Sequence, residues 1–210
     1  MQDFEQRFQR DKFLVNQRRL SFKEKYYVYD EQNNPLFYVE RPPWSWLLGI
    51  GRWHIDIFDN DSKANLLVSM RQKHFWEIFH RTYTVTDAQG QPLAELARNN
   101  IASLFRRAWD IRATDNDKTW KARENSVLFT IIRRLINLVP YVNAIGGLFR
   151  TNFDIYAVGP EGRETQIGSF NRKLSIFDKY VLDLTGDPKR ELDRRVGLSL
   201  GILMDTAERR

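Results

Sequence analysis

Val196-Gly197-Leu198-Ser199-Leu200-Gly201-Ile202-Leu203-Met204 carries no charge on any side. Before it, Gly186-Asp187-Pro188 reads as a helix start, with Asp187 at the N-cap and Pro188 at the first helical position. The helix is expected to run through Leu192 to about Ala207. A helix that is apolar all round is buried all round. The uncharged run is shorter than the ~20 residues a bilayer needs, so protein must enclose it. Gly197, Ser199 and Gly201 are small enough for surrounding strands to come close.

The rest of the chain supplies strands for that enclosure. Trp53, Ile55 and Ile57 alternate with His54 and Asp56; Tyr83 and Val85 alternate with Thr82, Thr84 and Thr86; Trp120 and Ala122 alternate with Lys121 and Arg123. Period-two alternation marks strands with one buried face. Further strands are expected at 13–15, 26–29, 36–40, 66–72, 93–98, 105–113, 152–158, 165–170 and 180–184. Turn-forming clusters lie between them: Asn33-Asn34-Pro35, Asp59-Asn60-Asp61, Asp87-Ala88-Gln89-Gly90 and Asp115-Asn116-Asp117. About twelve short strands exceed the usual open sheet, so closure is favoured. The fold class is therefore mainly β: a closed antiparallel barrel around its own hydrophobic C-terminal helix.

One segment breaks the strand rhythm. Over 126–149, Leu128, Ile131, Ile132, Leu135, Leu138, Val139 and Val142 form a stripe at helical spacing, against Thr130, Arg133, Arg134, Asn137 and Tyr141. Pro140 ends or kinks this helical insertion, and Gly146-Gly147 allows the chain to turn back. Residues 12–210 read as a single domain, preceded by a loose N-terminal arm at 1–11.

Composition narrows the chemistry. With no cysteine among 210 residues, disulfides, thiolate metal sites and cysteine nucleophiles are excluded. The polar start is no secretory signal, which makes a cytoplasmic location the default expectation. His54, His74 and His80 lack the companions of a zinc site. The paired aspartates at 59–61 and 115–117 lack the glycine and glutamate of a calcium loop. No P-loop, Rossmann or nucleophile-elbow pattern is present. The chain reads as non-enzymatic, with no metal and no cofactor.

Ile167-Gly168-Ser169-Phe170-Asn171-Arg172-Lys173, then Phe177-Asp178-Lys179-Tyr180-Val181-Leu182-Asp183-Leu184, then the apolar helix, resemble the C-terminal ends of tubby-like domains and phospholipid scramblases. Tyr26-Tyr27-Val28-Tyr29-Asp30-Glu31 followed by Leu36-Phe37-Tyr38-Val39-Glu40 is similar to the opening hairpin of LURP-one-related proteins. The resemblance implies a twelve-stranded barrel around a central helix and a membrane-associated role. Scramblases carry an acidic calcium segment before the terminal helix; here only Asp178 and Asp183 stand in that region.

The charge balance, 33 basic to 27 acidic residues, points to an anionic partner or to a solvated basic surface. Arg71 and Lys73 share one strand face, as do Lys121 and Arg123. Arg106-Arg107, Arg133-Arg134 and Arg172-Lys173 are adjacent pairs. Converging at one barrel end, these residues would hold anionic phospholipid or phosphoinositide head groups. Within Pro42-Pro43-Trp44-Ser45-Trp46-Leu47-Leu48, the residues Trp44, Trp46, Leu47 and Leu48 read either as a loop packed over the barrel end or as an interfacial anchor. The expected function is a peripheral membrane-binding module. The alternatives are a scaffold that docks a protein partner at 126–149 and scramblase-like lipid movement. Nucleic acid is disfavoured, because the aromatics alternate with apolar rather than basic neighbours.

Overall fold

A computed structural model describes residues 2–18, 24–41, 54–73, 81–98, 107–125, 152–173 and 179–208. After helix α1 (Gln2–Phe8) come twelve strands: β1 (Lys12–Arg18), β2 (Glu24–Tyr29), β3 (Pro35–Arg41), β4 (His54–Phe58), β5 (Leu66–Gln72), β6 (Thr82–Asp87), β7 (Pro92–Arg98), β8 (Ala108–Ala113), β9 (Thr119–Glu124), β10 (Asn152–Val158), β11 (Glu164–Arg172) and β12 (Lys179–Asp183). A C-terminal helix, α2 (Arg194–Glu208), ends the described chain. Each strand pairs antiparallel with its sequence neighbour, and β12 pairs with β1, so the sheet closes into a barrel. Closure removes the unpaired edges an open sheet would expose.

Alternation fixes what faces inward. Phe13 and Val15, Ile55 and Ile57, Tyr83 and Val85, Trp109 and Ile111, and Phe153 and Ile155 are all buried. They surround Val196, Leu198, Leu200, Ile202, Leu203 and Met204 of α2, which are also buried and belong to the same core. Close approach is real: a Cβ on Gly201 would lie 2.9 Å from the Phe170 ring, and one on Gly197 would lie 2.8 Å from Leu184 Cδ1. The apolar helix is thus enclosed by the sheet, as its sequence requires.

Two expectations at the ends of the chain need correcting. The helix starts at Arg194, six residues later than Pro188. Its N-cap is Asp193, whose Oδ1 accepts from the Arg195 N–H at 2.8 Å and whose carbonyl accepts from Gly197 at 2.9 Å. Asp187 caps the preceding turn instead, accepting from the Glu191 and Leu192 N–H groups, each at 3.0 Å. It also takes the Arg194 guanidinium at 2.8 Å. Buried Arg194 reaches Asp11 at 2.8 Å as well. The helix start is thereby bound to the head of β1, and a buried charge is compensated.

The expected loose arm is also structured from Gln2 to Phe8. Phe8 stacks on Phe37 with ring centroids 4.2 Å apart, and Arg7 Nη1 donates to the Leu36 carbonyl at 3.4 Å. Phe4 packs against the core. The sequence begins too polar to predict docking, but two aromatics one helical turn apart attach the helix to the core.

The two ends differ. Short turns at 30–34, 59–65, 88–91, 114–118 and 159–163 close the end where α1 sits and α2 begins. The connections 19–23, 42–53, 73–81, 99–107, 125–151 and 173–178 all leave and return at the opposite end, toward which α2 points its C-terminus.

Candidate functional site

At the loop-bearing end, the six strands that run toward it finish their inner faces on polar side chains: Gln17, Arg41, Gln72, Arg98, Glu124 and Arg172. Most lie across from an aromatic residue on the neighbouring strand. The pairs are Gln17 with Tyr26, Gln72 with Tyr83, Arg98 with Trp109, Glu124 with Phe153 and Arg172 with Tyr180. One inward position deeper the wall is apolar: Val15, Val39, Met70, Leu96, Ala122 and Phe170. The polar collar therefore marks the limit of the dry core. Gln17, Arg41 and Glu124 are buried, while Gln72, Arg98 and Arg172 are half-buried.

The end of α2 is tied to this collar. Tyr26 O–H donates to Asp205 Oδ2 at 2.8 Å, Gln17 Nε2 donates to the Tyr26 oxygen at 3.2 Å, and Thr206 Oγ1 lies 3.1 Å from the same oxygen. Thr206 Oγ1 also donates to the Ile202 carbonyl at 2.6 Å, the bond a helical threonine makes back to the preceding turn.

Composition separates the two sets of connecting segments. The six connections at the loop-bearing end hold eleven lysines and arginines against two acidic residues, and twelve aromatics. The five turns at the other end hold seven acidic residues against three basic ones, and no aromatic. The turn residues are used up locally: the Asp30, Asp59 and Asp87 carboxylates each accept hydrogen bonds from their own turns. The Asn34 side chain, with help from Arg10, holds the Asp30 carboxyl below the ordinary carboxylate range despite its burial.

The residues singled out as head-group ligands divide into three groups. Arg107, Arg172 and Lys173 lie at strand ends on the loop-bearing rim. Arg71, Lys73, Lys121 and Arg123 face outward on the wall or its rim, and their neighbours there are polar or acidic. Arg71 Nε donates to Ser69 Oγ at 3.3 Å, Lys73 pairs with Glu95 at 2.8 Å, and Glu164 takes both Lys121, at 3.3 Å, and Arg123. Burial raises the Glu164 pKa, but those two cations outweigh it and hold the carboxyl below its usual range. Arg123 also lies over the Tyr156 ring, 5.8 Å from its centroid. Arg106, Arg133, Arg134, Trp44, Trp46, Leu47, Leu48 and the whole segment 126–149 lie outside the described residues.

Among the described residues no cluster of three or more His, Cys, Asp or Glu could hold a metal ion. No helix among them is long and apolar enough to cross a membrane. His54 Nε2 stands 4.0 Å from Asp56; His74 and His80 are outside the described residues.

Sequence reasoning overlooked the collar. Arg41 and Arg98 look like ordinary strand-end charges, and Arg172 reads only as half of a basic pair. The signal was present: each of these residues lies two positions beyond the last apolar inward residue of its strand. Recognising it requires the strand ends, which sequence places only to within a few residues.

Compared with known proteins, residues 11–82 and 54–205 match a family model described as LURP-one-related, in two overlapping segments. No curated protein matches, and no solved structure matches.

Proposed function

The chain belongs to the LURP-one-related family, part of the tubby-like superfamily, and from that premise we propose that it is a non-enzymatic module that docks reversibly on anionic membranes. The carrying observation is the contrast in sequence between the segments that join strands at one end and the turns that join them at the other. A bilayer interface favours basic residues and amphipathic aromatic rings together, and the connections at one end are rich in both. Each lysine or arginine near an anionic leaflet contributes roughly 1 kcal/mol, so a few of eleven suffice for reversible attachment. The acidic turns at the far end oppose the reverse orientation. The barrel axis would then stand upright on the leaflet, with the C-terminus of α2 facing it.

In this reading Trp44, Trp46, Leu47 and Leu48 anchor the module, while Arg106, Arg107, Arg133, Arg134, Arg172 and Lys173 meet the head groups. Arg71, Lys73, Lys121 and Arg123 contribute less, because wall side chains already engage them. The natural setting is cytoplasmic, peripheral to the membrane. Co-sedimentation tests this. The protein should pellet with vesicles containing phosphatidylserine or phosphatidylinositol bisphosphate at low salt, and not with phosphatidylcholine alone. Arg133→Gln with Arg134→Gln should weaken binding, whereas Asp115→Lys with Asp117→Lys at the far end should not. No pelleting with any anionic vesicle at low salt would remove the proposal.

A further inference from the structure

We infer that the cleft between α1 and the start of α2 docks a short basic segment of a protein partner, which lays a lysine or arginine side chain into it. The inference does not rest on the membrane reading, since it concerns the opposite end of the barrel.

The cleft measures about 490 Å³, within the roughly 300–1,000 Å³ of small-ligand sites. Glu5 and Phe8 line it from α1, and Asp115 lines it from the turn between β8 and β9. Arg190, Leu192 and Arg195 line it from the approach to α2 and its first turn. Lys118 pairs with Glu191 at 3.3 Å and so ties the β8–β9 turn to that approach.

Both signs of charge line the cleft, but they are not equally matched. Arg195 forks onto Asp193, with Nη2 at 2.6 Å from Oδ2 and Nε at 3.1 Å from each oxygen. Arg190 donates to the Gln9 carbonyl at 3.2 Å and stands 3.6 Å from Asp11. The guanidinium charges are thus met within the fold. The carboxylates of Glu5 and Asp115 are not. Among the described residues Asp115 accepts only from the neighbouring Asn116 amide, at 2.8 Å, and Glu5 has no hydrogen bond or ion pair. Both are exposed. The Asp193 hydrogen bonds raise the Arg195 pKa against the cost of burial, and Asp87 and Glu5 raise it further through space. The unmatched charge of the cleft is therefore negative, and the ligand that complements it is a cation.

Two further features select the kind of cation. Phe8 and Leu192 are buried and give the cleft an apolar patch. The aliphatic stem of a lysine or arginine can lie on such a patch while its charged head reaches the carboxylates. The guanidinium of Arg195 supplies the other feature. Its Nη1 has no hydrogen-bond partner among the described residues, and it donates N–H groups only. A backbone carbonyl beside the basic residue would accept from it. A small polyamine has no acceptor to offer and meets Arg190 and Arg195 as like charges. Peptide is the chemistry that answers all three features.

Fluorescence polarisation with a labelled hexapeptide, a lysine–arginine pair flanked by two glycines on each side, tests the site. The full chain should bind it at low salt. The same peptide with glutamine at both basic positions should not bind. Glu5→Gln and Asp115→Asn should each weaken binding about twofold to fivefold, the range of an exposed ion pair. Asp61→Asn, in the turn between β4 and β5 and outside the cleft, should leave it unchanged. A second measurement needs no variant. Carbodiimide should couple the peptide's lysine to Glu5 or Asp115 of the wild type through an amide bond, located by mass spectrometry. Absent binding, a loss in Asp61→Asn equal to that in the cleft variants, or coupling spread evenly over the exposed carboxylates would each overturn the proposal. Spermine that displaces the peptide at matching concentration would also overturn it, assigning the cleft to small polyamines.

Discussion

Tyr26 and Asp205, 179 residues apart in sequence, are joined by a 2.8 Å hydrogen bond between the wall of the barrel and the end of its central helix. Both side chains are buried. Tyr26→Phe removes the donor while leaving the ring, so the loss isolates the polar contact. An under-satisfied buried carboxylate costs about 1–3 kcal/mol. Urea unfolding should show a lower midpoint with an unchanged slope. An unchanged midpoint would mean that this bond does not hold the helix end.

The helix itself should be the most sensitive element. Leu200 is fully buried, and Leu200→Ala should cost about 2–5 kcal/mol. Deleting 190–210 should abolish folding, since it removes the common core and the Arg194 contacts with Asp11 and Asp187. Slow amide exchange across the helix interior is the matching observation. Fast exchange there would count against central burial.

Helix α1 should behave as part of the domain. Phe8→Ala opens the stack on Phe37, and the expected loss is about 3 kcal/mol, the low end for a buried phenylalanine. Thermal melting of this variant beside one lacking residues 1–9 decides the matter. If both melt like the full chain, α1 adds nothing.

Acid should destabilise the fold. Burial raises the Asp183 pKa, but the Thr185 hydroxyl and N–H together with Lys12 outweigh it and depress the carboxyl below its ordinary 3.8. Asp30 and Glu164 are depressed as well. A carboxyl depressed in the folded state stabilises the fold above its unfolded-state pKa, and that contribution disappears as pH falls through the lower folded-state value. Melting temperature should therefore fall below about pH 4, and less steeply in Asp183→Asn. An equal fall in the variant would show that Asp183 is not among the groups responsible.

Membrane attachment, if it follows the charge of the loop-bearing end, should weaken with salt. The Debye length shrinks from about 10 Å at 0.1 M to about 3 Å at 1 M. Trp44→Ala with Trp46→Ala should remove the part of vesicle binding that survives high salt. Binding indifferent both to salt and to these tryptophans would point to another surface.

Much was legible in the sequence because two periodicities are local. Alternation marks a strand from five or six residues, and the turn clusters punctuate it. A nine-residue run with no charge on any side, Val196 to Met204, reads as a helix buried all round, and among so many strands the enclosure is the sheet. Those facts determine a closed barrel with a helix inside it. Tertiary structure alone decided which residues share an end. Glu164 sits between Lys121 and Arg123 because β11 and β9 flank β10, and no local pattern carries that adjacency. Asp187 gave way to Asp193 as the N-cap because Arg194 draws Asp187 and Asp11 together across the base of the barrel. The collar arose in the same way. Gln17, Arg41, Gln72, Arg98, Glu124 and Arg172 are far apart along the chain, and only the closure of β12 on β1 brings them into one ring.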